Sequence, residues 1–146
     1  MRRPTFSILL MTFALTLSAA AKDEAVEQLK ARVESAHPEN RPGLCIQIAH
    51  QQLRNADRLY NDGQIEQARA AVDDIVTYFE KARDAASQTK KHQKSVEIAA
   101  RKISEKLRDI KRTLAFEDQP PVDQAIKHLE DVRTALLKEM FSKDKK

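Results

Sequence analysis

"ASQTKKHQKSVE", Ala86–Glu97, sits in the middle of a long run without Gly or Pro, and the course of its backbone decides the fold. Apolar positions recur on both sides of it and almost vanish inside it. Toward the N-terminus the pattern runs Ala86, Ala82, Phe79, Ile75, Val72, Ala68, Ile65. Toward the C-terminus it runs Val96, Ala100, Ile103, Leu107, Ile110, Leu114. Thr89 and Gln93 bridge the halves, so every step is three or four residues in strict alternation. Such a 3.5-residue repeat is the seam of a helix packed lengthwise on another. Lys, Gln and Ala are good helix formers. The spacing therefore predicts one central helix over about 64–116, about 80 Å long at 1.5 Å per residue. Residues 86–97 should be its poorly buried waist, because small or polar seam side chains hold little apolar area. Each large side chain left out forgoes about 1.5–3 kcal/mol.

Each half of the seam has a partner. Ile46, Ala49, Leu53, Ala56 and Tyr60 repeat the same spacing upstream and stop at Asn61-Asp62-Gly63, where Gly suits the left-handed end of a helix. Helix 44–61 should fold back on 64–85. Downstream, Pro120 and Pro121 end the central helix and suit the first turn of the next. Val122, Ala125, Ile126, Leu129, Val132, Leu136 and Met140 then mark a helix over about 120–142 that returns along 95–116. A shorter helix, 23–36, carries Val26, Leu29 and Val33 on one face and must dock on the first hairpin. The expected fold is all-α: antiparallel hairpins sharing one long central helix, elongated or, if the waist bends sharply, closed into a four-helix bundle. The domain spans 22–142, and a charged tail, 143–146, follows.

Composition agrees. Two Gly, no Trp and a third of residues charged suit helices and not strands. Arg2 and Arg3, the apolar run Phe6–Leu17 and "SAAA" read as a signal peptide over 1–21, cleaved near Ala21. The run is shorter than the roughly 20 residues of a membrane span. The expected destination is the periplasm or the exterior. No Cys stands directly after the cleavage point, and Cys45 is the sole cysteine, so it is either a small buried side chain or one half of an intermolecular disulfide.

"ADRLYNDGQIEQARAAVDDIVTYFEKA", residues 56–82, resembles one tetratricopeptide-repeat hairpin through Ala56, Leu59, Gly63, Ile65, Ala68 and Val72. The resemblance implies two closely approached antiparallel helices. It departs at Glu80, where the closing proline of the repeat belongs, and no second copy follows, so a concave peptide groove built from an array is not implied. The stretch also looks like the terminal hairpin of four-helix periplasmic b-type cytochromes, which implies haem on a Met and a His. Here Met140 is the one Met beyond the signal segment and Arg83 stands about where the His belongs, so no cofactor is expected.

Chemistry is sparse. His37, His50, His92 and His128 lie on separate segments without helical metal-ligand spacing. Asp73 and Asp74 are adjacent and diverge by about 100° on a helix. No catalytic, cofactor or metal residue is assigned, and the chain is read as a non-enzyme.

Charge alone has spatial order. Residues 87–114 hold 9 basic and 3 acidic side chains. Lys94, Arg101 and Arg108 recur every seven residues opposite the seam, flanked by Lys91 and Arg112; Glu97 and Glu105 are spaced to pair with Arg101. This stripe is the candidate anion-binding surface, for an anionic envelope polymer or a lipid surface. Nucleic acid is not expected, since no aromatic residues interleave with the basic ones. Ile98, off the seam among these charges, is the candidate partner contact. The leading expectation is a periplasmic or secreted helical scaffold or adaptor acting through an unidentified protein partner or as a homodimer. Binding of an anionic envelope surface comes second, and a metal or cofactor carrier is a remote third.

Overall fold

The computed structural model describes the backbone of residues 14–142 and the side chains of residues 24–142. Among these residues there are five helices and no strand: α1 (Ala14–Ser35), α2 (Arg41–Asn61), α3 (Ile65–Thr89), α4 (Gln93–Thr113) and α5 (Gln119–Ser142), with a 3₁₀ turn over Phe116–Asp118. The all-α expectation holds. Residues 1–13 of the expected signal peptide and the tail 143–146 lie outside the described residues.

Of the two forms expected, the closed bundle with a bent waist is the one observed, and the single helix over 64–116 does not form. It breaks at Lys90-Lys91-His92, where Lys90 (φ 57°) and His92 (φ 64°) both adopt the left-handed conformation. For residues with a Cβ this costs roughly 1–2 kcal/mol each. Local bonds help the turn: the Thr89 hydroxyl donates to the Ala85 carbonyl at 2.8 Å and accepts from the Lys91 amide at 3.3 Å. The decisive gain is tertiary. Bending brings the buried faces of α4 and α5 against those of α2 and α3, and Val72, Ile75, Phe79, Ile103, Leu107, Leu129 and Leu136 close into one core. At about 1.5–3 kcal/mol per large side chain, that burial outweighs two strained residues.

The waist is also better buried than its composition suggests. Ala86 and Val96 are fully covered and Gln93 is 6% exposed. Glu139 of α5 clasps the turn from outside, accepting from the Ser87 hydroxyl at 3.0 Å and the Gln93 amide at 2.8 Å, with the Lys90 ammonium at 3.9 Å.

The two expected hairpins are both present, α2 against α3 and α4 against α5, and they form two layers. At the α2–α3 turn, Gly63 takes φ 72° while the Gly63 amide donates to the Tyr60 carbonyl and Gln64 to that of Leu59. That left-handed position suits Gly, which has no Cβ to clash. Pro42 lies in the first turn of α2, which begins at Arg41 rather than 44, and Pro120 and Pro121 lie in the first turn of α5. Across the layers α3 lies parallel to α5. Arg69 near the start of α3 meets Asp118 at 3.0 Å, and Ser87 near its end meets Glu139. The layers approach closely along α3 and α5, where Ala68, Ala71, Ala82, Ala86 and Ala125 are buried, and part along α2 and α4. The outer helix α1 docks on α2 through Val26 and Val33.

Cys45 is fully buried in this core. Burial pushes its thiol up to about 11, which leaves the buried reading and puts the intermolecular disulfide out of reach of the folded chain. A thiolate is the reactive form. The native protein should therefore react with iodoacetamide at pH 8 at least about a hundredfold more slowly than the urea-unfolded chain, as followed by mass spectrometry.

Candidate functional site

Where the layers part, α2 and α4 leave an open groove of about 770 Å³. Its floor is apolar, formed by Leu53, Ile103 and Ile110. Its rim carries Arg54 and Asp57 on one side and Lys102, Glu105, Lys106 and Asp109 on the other. The groove follows from sequence. Both helices spend their inward seam positions on the core, so the next positions around each cylinder reach the layer edge, and on α2 and α4 these are long polar side chains. Such side chains hold the helices apart where alanines draw α3 and α5 together.

His50 is half-buried in this groove. Burial lowers its pKa below 6.5, and the nearby Arg54 and Lys102 lower it further. The unfolded chain thus binds the His50 proton more readily than the folded one, so this contribution to stability is present above pH 6.5 and is lost as pH falls through and below it. Replacing His50 by Gln should flatten the slope of urea-derived stability between about pH 5 and 7.

A second cleft, of about 740 Å³, lies between α1, α2 and α3. Asp74 is its hub: it accepts from Lys30 of α1 at 2.7 Å and from the buried Gln52 of α2 at 2.5 Å, and Gln52 accepts in turn from the buried Asn55 at 2.8 Å. Burial acts to lower the Lys30 pKa, but the bonds to Asp74 and Glu27 outweigh it and hold the ammonium above its ordinary value. Lys30 and Lys81 also stand 5.9 and 5.2 Å from the ring centre of Tyr78, a cation–π arrangement. Lys81 in turn bonds Glu34 at 2.7 Å, which raises the lysine and lowers the carboxylate. These groups fasten α1 to the bundle. Sequence reading missed them. Their signal was faint: Gln52 and Asn55 sit one residue to the side of the seam positions Leu53 and Ala56, and Asp74 diverges from the exposed Asp73 as the 100° step requires.

The expected anion-binding stripe is largely matched within the molecule. Lys91 pairs with Glu39 at 2.8 Å, Arg101 with Glu105 at 3.8 Å, Arg108 with Glu130, and Arg112 with Asp109 at 3.1 Å. Lys94 alone of the five has no acidic partner among the described residues. Glu97, expected to pair with Arg101 on the outer face, instead turns inward and accepts from Arg133 of α5 at 2.6 Å. Ile98 is half-buried on α4.

His37 and His92 flank the Glu39–Lys91 pair, whose hydrogen bond lowers the Glu39 pKa, and His128 is exposed on α5. Among the described residues no group of three or more His, Cys, Asp or Glu is placed to hold a metal ion, and no helix is long and apolar enough to cross a membrane. No family model matches the chain, and neither a curated protein nor a solved structure matches it.

Proposed function

We propose that the chain is a non-enzymatic helical adaptor of the cell envelope, acting through protein–protein contacts made by the α2/α4 groove. The observation that carries this reading is the groove itself: the half-buried Leu53, with the core residues Ile103 and Ile110 beneath it, lies between two parallel walls of alternating charge. That geometry suits an amphipathic helix, whose apolar stripe fills the floor while its flanking acidic and basic residues meet the rim. An envelope location rests on the sequence of residues 1–21. The non-enzymatic reading draws support from the state of the lone thiol and of the lysine in the second cleft. Lys30 is held protonated by Asp74 and Glu27, and Cys45 is held as a buried thiol, the reverse of what covalent catalysis needs. Binding of an anionic envelope surface is less favoured, because four of the five stripe cations already have carboxylate partners.

The test is site-specific photocrosslinking in the native envelope. A photoreactive residue at Lys106, on the groove rim, should yield one discrete protein adduct, and the same residue at Lys127, exposed on α5, should yield none. Leu53→Glu should remove the adduct while the helical circular dichroism is kept. Equal adducts at both positions, or none at Lys106, would defeat the proposal; steeply salt-dependent capture of anionic vesicles in their place would transfer support to the basic stripe.

A further inference from the structure

We infer that a second copy of this chain is a partner built into the fold: the hairpins exchange, so that residues 65–113 straighten into one helix and α4/α5 of each copy packs on α2/α3 of the other. This goes beyond the adaptor reading and does not depend on it.

Three observations converge on the α3–α4 link. The first is strain at residues that do not suit it. Lys90 and His92 occupy left-handed backbone, a conformation that Gly and occasionally Asn or Asp adopt readily. The neighbouring turn uses Gly63 for the same purpose, so the chain has a residue built for turning in one place and helix formers in the other. The second is the lack of a side-chain cap at the helix start. His92, at the N-cap of α4, makes no side-chain capping bond, and a straight helix would give the α4 amides carbonyl partners from α3. The third is register. A three-residue break leaves two helices free in rotational phase, yet Ala86, Thr89, Gln93 and Val96 keep the 3-4 alternation across it. A continuous helix requires that phase and a broken one does not.

The exchanged form keeps the contacts of the bundle. The α2/α3 and α4/α5 hairpins remain within one copy, while α3 on α5 and α2 on α4 become contacts between copies. Two rods of about 70 Å at 1.5 Å per residue, laid antiparallel with their hinges level, place each half-bundle as in the closed chain. Glu139 of one copy would then clasp Ser87 of the other. Closed and exchanged forms thus differ mainly in hinge strain against the cost of association, a balance set by protein concentration. Short strained hinges favour this outcome.

The experiment uses the full chain, refolded at 1 µM and at 1 mM, with mass read by light scattering after size exclusion. A dimer is expected at the higher concentration. Lys90→Gly with His92→Gly relaxes the turn and weakens the straight helix, so it should lower the dimer fraction by roughly tenfold or more. Domain exchange is separated from ordinary surface pairing by co-refolding two single-cysteine variants, Arg69→Cys and Asp118→Cys, and treating the mixture with a short bismaleimide. Crosslinked dimers should form in the mixture and in neither variant alone, since this α3–α5 contact passes between chains only on exchange; Cys45 stays buried in both. A chain that remains monomeric after refolding at 1 mM, or a dimer that the mixed variants do not crosslink, overturns the inference. The adaptor proposal is read by photocrosslinking at Lys106, so the two ideas fail separately.

Discussion

Phe79→Ala should lower the free energy of unfolding by about 3–5 kcal/mol, the range for truncating a buried aromatic ring. Phe79 is 1% exposed at the middle of α3, where the seam faces both its own layer and the opposite one. Truncation removes apolar area and leaves a hole that helices clamped by neighbouring alanines fill only in part, so transfer and cavity terms add. A domain of this size has about 5–15 kcal/mol in total, so the loss is a large fraction of it. Urea unfolding is the measurement, with the midpoint falling and the slope unchanged. Phe116 and Phe141 are the internal controls. They are 86% and 66% exposed, and their alanine variants should move stability by no more than about 0.5 kcal/mol. A loss below about 1 kcal/mol at Phe79 would mean that the layers do not close on it.

The same three phenylalanines show what the sequence made legible. The 3-4 alternation placed Phe79 on the seam and gave Phe116 and Phe141 no seam position. Most seam positions from Ala68 to Ile110 are in the core, and those from Val122 to Leu136 follow suit. Periodicity reports which face of a helix is covered, and that information is local. It also identified both hairpins, because Gly63 and the Pro120-Pro121 pair stop helices by backbone geometry alone. The link at Lys90–His92 was hidden for the complementary reason. Nothing in "TKKHQ" opposes a helix locally, so the break is imposed by burial that exists only once α4 and α5 reach the first layer. Tertiary packing overrode a favourable but weak propensity.

The groove was hidden by the same break. A straight central helix holds the α2/α3 and α4/α5 hairpins at opposite ends of a rod, and α2 never meets α4. Once the chain folds over, His50 and Leu53 face Lys102 and Ile103, residues about fifty positions apart. The surroundings of the candidate stripe were hidden differently. Glu105 and Asp109 of α4 itself match two of its cations, but the other two matching carboxylates come from elsewhere in the fold: Glu39 from the α1–α2 loop and Glu130 from α5. A one-helix view counts only its own acids and overstates the field of a basic face.

Glu97 carries that lesson furthest, and Arg133→Ala is the variant that measures it. Along α4 alone, Glu97 is a solvated carboxylate one turn from Arg101. In the closed bundle its side chain is 11% exposed and bonds Arg133 at 2.6 Å, and the Arg133 side chain is 42% exposed. Removing the partner of a fully buried ion pair costs about 3–5 kcal/mol, because the remaining charge is stranded. Water reaching the Arg133 end reduces that, so about 1–3 kcal/mol is expected. Glu97→Gln should lose less, since an amide oxygen still accepts from the guanidinium. The double variant Glu97→Leu, Arg133→Leu should recover most of the loss, because with neither charge present nothing remains to desolvate. A double-mutant cycle in urea gives the coupling directly. Coupling near zero would mean that Glu97 points to solvent, as it does on an isolated straight helix. In that case α4 and α5 do not meet in the register of the closed bundle, in either its single-chain or its exchanged form.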